Sequence, residues 1–393
     1  MKTRKIEDIC TLNPKIKNDL PLESLISFVP MSAVSTDGNI DLTDTLIPSE
    51  SKGYTLFQDG DILFAKITPC MENGKGAIAH GLLNGYGAGS TEFIVLRPNT
   101  DCVTAKWLYL YLSQRSFRWK CQQHMTGSAG QKRVPAKYLA SCEIPIPIIS
   151  EQERIVSKIE ELFSKLDASV VELQTAKEKL KVYRQAVLKE AFVTFKVKKP
   201  IREVTSIVTS GSRGWAKYYS SGGAKFIRIG NLTHDSIRIN FNEMQYVALP
   251  DNAEGTRTKL NPNDVLVSIT ADLGSIGLVP ETIGDAYINQ HVALVRFVNP
   301  EQSEFMAWYL RSDWGQKDLL KNKRGAGKLG LGLDDIRDTM VPVVSDEQAK
   351  TIVSGISARL SVCDSIQQTI DISLQQAEAL RQSILKQTFE GRL

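Results

Sequence analysis

Apolar residues recur every seven positions between Ile149 and Phe192, at Ile159, Leu166, Leu173, Leu180 and Val187. A second set, Leu162, Ala176 and Tyr183, runs beside them. The pattern returns between Ser345 and Phe389 as Ile356, Cys363, Ile370, Ala377 and Ile384, accompanied by Leu360, Ile366, Leu374 and Leu380. A seven-residue repeat holds one stripe of a helix against a partner, so two long helices are predicted, over 150–196 and 345–393. IVSKI at Ile155–Ile159 matches IVSGI at Ile352–Ile356, and RQAVLKEAF at Arg184–Phe192 matches RQSILKQTF at Arg381–Phe389, at one constant offset of 197. No residue has been gained or lost between these anchors, as expected where a change of length would destroy a packing register. Ser150 with Glu153, and Ser345 with Gln348, have the spacing of capping boxes. Pro145, Pro147 and Pro342 lead in as extended chain. Each helix should be about 55–60 Å long. A seam of that length needs an equally long partner, and the chain carries one.

The helices divide the remainder into two segments, 1–149 and 197–344, which also resemble one another. KIEDICT (Lys5–Thr11) matches PIREVTS (Pro200–Ser206), GDILFAKIT (Gly60–Thr68) matches NDVLVSIT (Asn263–Thr270), and STEFIVLR (Ser90–Arg97) matches NQHVALVR (Asn289–Arg296). Here the offset drifts, which places small insertions in surface loops. Short β-branched runs predict strands near Asp61–Ile67, Phe93–Leu96, Phe226–Ile229, Val265–Ile269 and Val292–Val298. Helices are expected near Ala105–Cys121 and Glu304–Lys321. A last strand, Glu143–Ile148 or Thr339–Val344, should lead into each long helix. The expected fold is α+β: two similar mixed α/β domains separated by an antiparallel pair of long coiled-coil helices, a pseudo-two-fold internal repeat.

Charge and cysteine add little. The net charge is +4, which permits nucleic-acid binding without arguing for it, because clustering matters more. Cys10, Cys70, Cys102, Cys121, Cys142 and Cys363 have no framework spacing and read as free thiols of a reducing compartment. With no signal-like or membrane-spanning stretch, a cytoplasmic protein without membrane association is expected.

Two related domains on antiparallel helices suit a duplex, whose strands are themselves antiparallel, and unequal domains imply unequal half-sites. The chain resembles the specificity (S) subunits of type I restriction–modification systems over essentially its full length. The resemblance rests on the domain–helix–domain–helix order, the P-x-P-x-x-S-E-Q-E-R-I run at Pro145–Ile155, and the R-Q-x-[VI]-L-K-x-x-F run closing both helices. It rests also on Gly211–Tyr219 followed by Phe226–Leu232, on Gly60–Phe64 and on Ile288–His291. It implies target-recognition domains at 1–149 and 197–344, and spacer helices at 150–196 and 345–393. It further implies a non-catalytic reader of an asymmetric bipartite site on double-stranded DNA, recruiting two methyltransferase subunits and, in restricting systems, motor-nuclease subunits. The chain itself would need no cofactor; S-adenosylmethionine would be held by the methyltransferase partner. The alternatives are a two-module protein-binding scaffold with a coiled-coil spacer, or a fused DNA methyltransferase or nuclease.

Catalytic motifs do not compete. The Asn-Pro pairs continue as Asn13-Pro14-Lys15, Asn261-Pro262-Asn263 and Asn299-Pro300-Glu301, not as the run that amino-methyltransferases use. Gly325–Gly332 looks like a phosphate loop but has Leu329 after Lys328 where Ser or Thr would hold Mg²⁺. Cys121 and His124 make half a metal site with no second half, so no metal is expected.

DNA contact is assigned instead to basic and amide side chains near glycine-rich loops, where backbone and cations can approach phosphates. In the first segment these are Lys66, Thr68, Asn73, Lys75, Arg118, Ser128, Gln131, Lys132 and Arg133, with Arg115 and Lys120 upstream. In the second they are Lys323, Arg324 and Lys328, with Lys317 and Lys321 upstream. A further surface is expected from Ser212, Arg213, Trp215, Lys217, Tyr218, Arg228, Asn231 and Gln290, since Arg and Asn read purine edges bidentately. Trp215 could equally pack inside its own domain. Ser90–Glu92 and Asn289–His291 enter strands and could face either way.

Overall fold

The structure, a computed structural model, describes residues 2–16, 24–128, 130–211, 213–250, 256–321, 323–325 and 329–392. It divides into two compact units. One contains Met1–Leu173 with Ile372–Leu393, the other Gln174–Asp371.

The long helices are Ile149–Phe192 and Asp346–Phe389, each of 44 residues. Ser345 caps the second as expected: its hydroxyl accepts from the Gln348 backbone, and the Gln348 amide oxygen accepts from the Ser345 backbone. The first helix begins at Ile149, so Ser150 stands inside it and does not cap it. Gln152 ties down that end instead. Fully buried, it donates to the carbonyls of Cys102 and Pro147 and accepts from the Thr104 amide.

In the second unit the helices run antiparallel, because partners on one fall in number as those on the other rise. Lys177 pairs with Asp371 at 2.8 Å, Arg184 with Asp364 at 2.6 Å, and Glu190 with Arg359 at 2.8 Å. The first unit shows the same sense: Ile155 and Ile159 share a core with Ile384 and Leu385, and Asp167 pairs with Arg381. Of the seam, Ile159, Leu180, Val187, Ile356, Cys363, Ile370 and Ile384 are buried, while Leu166, Leu173 and Ala377 are half-buried. The accompanying set is covered only in part, with Leu360 buried and Leu162 and Leu374 half-buried. Ala176, Tyr183, Ile366 and Leu380 are exposed, because two helices in contact cover a single stripe of each other.

The globular parts explain why their strands read as unbroken apolar runs. In the first unit, strands Cys10–Leu12, Phe93–Pro98, Ile62–Ala65 and Gly76–Ile78 form an antiparallel sheet in that order. Successive side chains point to opposite faces. Ile62 and Phe64 therefore join the core shared with the long helices, while Leu63 and Ala65 join the core under a second sheet. That second sheet, in the order Thr45–Leu46, Ile26–Val29, Tyr86–Gly89, Thr55–Gln58, contains a parallel pair, Ile26–Val29 with Tyr86–Gly89. The second unit repeats the first sheet and the parallel pair of the second. Thr205–Ser210, Val292–Phe297, Val265–Ser268 and Ile276–Leu278 form one. The other, in the order Tyr219–Ser220, Gln245–Val247, Ala224–Ile227, Ala286–Ile288, has Ala224–Ile227 parallel to Ala286–Ile288.

Each expected single helix is broken in two, Ala105–Leu112 with Arg115–Gln123, and Ser303–Arg311 with Asp313–Leu319. In the second copy Ser312 makes the break by capping the following turn through Gly315. These short helices receive the aromatic residue that closes each long one. Phe389 meets Trp107 edge-on at 4.7 Å in the first unit, and Phe192 meets Phe305 at 5.5 Å and Tyr309 at 5.4 Å in the second. The repeated R-Q-x-[VI]-L-K-x-x-F ending is thus a plug.

A buried ion pair also repeats. Arg97 grips Asp61 with two hydrogen bonds of 2.7 Å, and Arg296 grips Asp264 with two of 2.7 Å. Both carboxylates are 1% exposed. Each also accepts from a turn amide, of Gln58 and Asn261 respectively.

Candidate nucleic-acid interface

One backbone frame recurs where the sequence placed its basic loops. In the first unit the Lys66 amide donates to Glu92 and the Lys66 carbonyl accepts from Val134. In the second, the Ile269 amide donates to His291 and the Ile269 carbonyl accepts from Leu331. A hairpin stands on each frame. Its stems pair Thr126 with Arg133 and Arg324 with Gly330, and these stems bridge to Ile67 and Thr270 respectively. The bend after the first stem is a glycine in both, Gly127 at φ +128° and Gly325 at φ +118°. At Gly127 a side chain is excluded twice over, because a Cβ would also lie 2.8 Å from the Gln131 carbonyl oxygen. The loops Ser90–Glu92 and Asn289–His291 leave the parallel pairs at the same point, with Ser90 donating to Val29 and Asn289 to Ile227.

The side chains on the two frames differ. On the first, Arg133 lies against Glu92, with Nε at 2.9 Å and Nη2 at 2.7 Å from the carboxylate, and its Nη1 donates to the Gln131 carbonyl at 3.0 Å. Hydrogen bonding to Arg133 holds the Glu92 carboxyl below its usual range. Lys66 reaches the Thr91 carbonyl at 2.7 Å. Thr68 donates to Glu72 at 3.0 Å. Gln131, Lys132 and Ser128 are exposed on the hairpin. A cavity of about 310 Å³ opens between Thr68, Glu72, Gln122, Met125, Gly130 and Lys132. Asn73 is exposed on the turn that follows, and Lys75 is drawn back to the Met31 carbonyl at 2.9 Å.

On the second frame Lys323 and Arg324 are exposed, and Arg324 is steadied by Asp335 at 3.1 Å. Gln290 meets His291 at 3.1 Å. Gly211 packs against the Ile288 and Asn289 carbonyls, next to Gln290 in the chain. Arg213 and Lys217 are exposed, Lys217 lying 4.9 Å over the half-buried Tyr218 ring. Arg228 is half-buried, its amide donating to Asn231. Ser212 and Lys328 lie outside the described residues.

Three expected contacts are interior. Arg118 is 6% exposed and spends its guanidinium on the carbonyls of Leu112 and Met71; burial pulls its pKa down to about 10. Trp215 is buried in an aromatic cluster with Phe226, Tyr287 and Tyr218. Asn231 is buried, bridging Arg228 and the Asn240 carbonyl as a turn brace. Arg115 pairs with Glu378 at 3.0 Å and so belongs to the helix packing. Glu92 stood in a strand-entry segment the sequence singled out, but its pairing with Arg133 lacked a sequence signal, because the partner lies 41 residues away. Cys121 is buried and its thiol is pushed up to about 12, while His124 stacks on Tyr138 at 4.0 Å. Among the described residues no His, Cys, Asp and Glu group is arranged to hold a metal, and no helix is long and apolar enough to cross a membrane.

Fold and site together define a duplicated two-domain protein that sets different polar side chains on one repeated backbone frame. The family model for the type I restriction modification DNA specificity domain matches residues 1–178 and again 196–376. The chain belongs to the type I restriction modification DNA specificity family. The EcoAI specificity subunit of Escherichia coli is 45% identical over 163 residues, 40% of this chain and 27% of that subunit. The chain thus matches about a quarter of that relative's length. The EcoBI specificity subunit of Escherichia coli is 25% identical over 304 residues, covering 68% of this chain and 62% of that one. A solved structure described as underlying complex assembly and conformational transition of the type I R-M system aligns at TM-score 0.83 and 18% identity, over 100% of this chain and 98% of that one. The HsdS subunit from Thermoanaerobacter tengcongensis aligns at TM-score 0.61 and 18% identity, over 100% and 97%. These last two establish likeness of fold.

Proposed function

We propose that this chain is the DNA-reading subunit of a cytoplasmic type I restriction–modification enzyme, acting without a catalytic group of its own. Its segments 1–149 and 197–344 each read one half of an asymmetric bipartite site on double-stranded DNA, and the helices 150–196 and 345–393 space them. The observation that carries this reading is the repeated frame with unequal side chains. The first domain presents Lys66, Glu92 and Arg133 where the second presents Ile269, His291 and Gly330. Equal scaffolds with unequal chemistry suit two different half-sites. The remaining candidates, among them exposed Asn73, Gln131, Lys132, Lys217, Lys323 and Arg324 and half-buried Thr68 and Gln290, supply phosphate and groove contacts.

The chain recruits two methyltransferase subunits, which bring S-adenosylmethionine, and motor-nuclease subunits where the system restricts. The apolar side chains left uncovered on the helices support such docking. Tyr183 and Leu380 occupy equivalent positions and are each 50% exposed. Mapping methylated adenines in cells with and without this chain tests the reading. The expected result is loss of one motif made of two unequal halves around an unspecified spacer. An unchanged methylation map would overturn it.

A further inference from the structure

Arginine carries five N–H groups on three edges of a planar guanidinium. In Arg133 the edge formed by Nε and Nη2 faces the Glu92 carboxylate, at 2.9 and 2.7 Å. Nη1 donates to the Gln131 carbonyl at 3.0 Å. That leaves one N–H on Nη1 and one on Nη2 to which no hydrogen bond among the described residues is made. The side chain is 41% exposed, so part of it is within reach of a ligand. Both supports are fixed in turn. The Glu92 carbonyl accepts from the Lys66 amide, Lys66 Nζ holds the Thr91 carbonyl at 2.7 Å, and the Arg133 backbone is paired on both sides of its hairpin.

From this we infer that Arg133, oriented by Glu92, reads one guanine in the half-site of the first domain. A rigid pair of parallel N–H donors matches acceptors side by side, as in guanine O6 and N7 or in a phosphate. The carboxylate decides between them. Glu92 neutralises the guanidinium and sets a negative charge in hydrogen-bond contact with it, which weakens attraction to a phosphate while sharpening the geometry of a base contact. The second domain is an internal control. Its frame carries His291 and Gly330 at these positions, so it has no such fork. This assignment rests on the DNA-reading function proposed above.

The test uses the full chain assembled with its methyltransferase subunits, with methylated motifs mapped in cells and binding measured against salt. R133A and the charge-keeping R133K should both relax one guanine position in one half-site by on the order of tenfold to a hundredfold. The other half-site should be unchanged. E92Q, which keeps shape but loses the ionic hold, should relax the same position more weakly. Uniformly weaker binding, an unaltered motif and a salt slope lower by about one would make Arg133 a phosphate contact and overturn the inference. Relaxation in both halves, or at no position, would overturn it as well. If deleting the whole chain leaves methylation intact, the DNA-reading function itself fails, a result distinct from any of these.

Discussion

Arg118 and Arg133 sit in the same domain with the same side chain, and their neighbours give them opposite roles. Arg118 is enclosed and braces two carbonyls, so R118A should leave Leu112 and Met71 acceptors unmade. The expected loss is about 2–3 kcal/mol, seen as a lower urea midpoint, with the salt slope of DNA binding unchanged in the folded chain. Asp61 is a second residue of this kind. D61A would strand the Arg97 guanidinium and the Gln58 amide together. Breaking such a buried pair costs about 3 kcal/mol, and D264A should act alike through Arg296, each read by denaturant unfolding. Glu92 adds a pH dependence. Its carboxyl is depressed by Arg133, so the hold on Arg133 is present above the ordinary carboxylate pKa and disappears only as pH falls through the lower folded value.

Among the elements, the long helices show duplication most directly. Arg184 and Asp364 pair in one unit, and Arg381 and Asp167, the residues at the same repeat positions, pair in the other. Each copy therefore offers an arginine and an aspartate to the opposite copy, as self-complementary surfaces do. R184D should lose the pair and set two carboxylates together, at a cost of about 1 kcal/mol for so exposed a contact. The double variant R184D/D364R should recover most of it in a thermal melt, and non-recovery would mean the pair contributes nothing. The larger share of helix stability lies in the seam. Ile356 and Val187 are each 2% exposed in one shared core, and truncating either to alanine should cost about 2–4 kcal/mol.

For the whole molecule, the proposed function makes the helix pair a spacer. Inserting one heptad into both helices preserves the seam's phase and adds about 10 Å of helix. Mapped methylation should then keep both half-sites and change the gap between them. A lost or altered half-site would show that the helices do more than hold the domains.

The sequence determined the features that repeat locally. The seven-residue seam, the short strands and the glycine-rich loops all depend on residues close in the chain, where side-chain size and spacing are enough to set the pattern, and the same local patterns written twice show the duplication. Tertiary structure decided which polar side chains remain free. Arg118, Trp215 and Asn231 resemble contact residues in sequence, and only packing against distant carbonyls and aromatic rings shows them enclosed. Glu92 and Arg133 meet because two loops share one backbone frame, and a hydrogen-bonding partner fixed by folding over such a distance leaves no periodic trace in the chain.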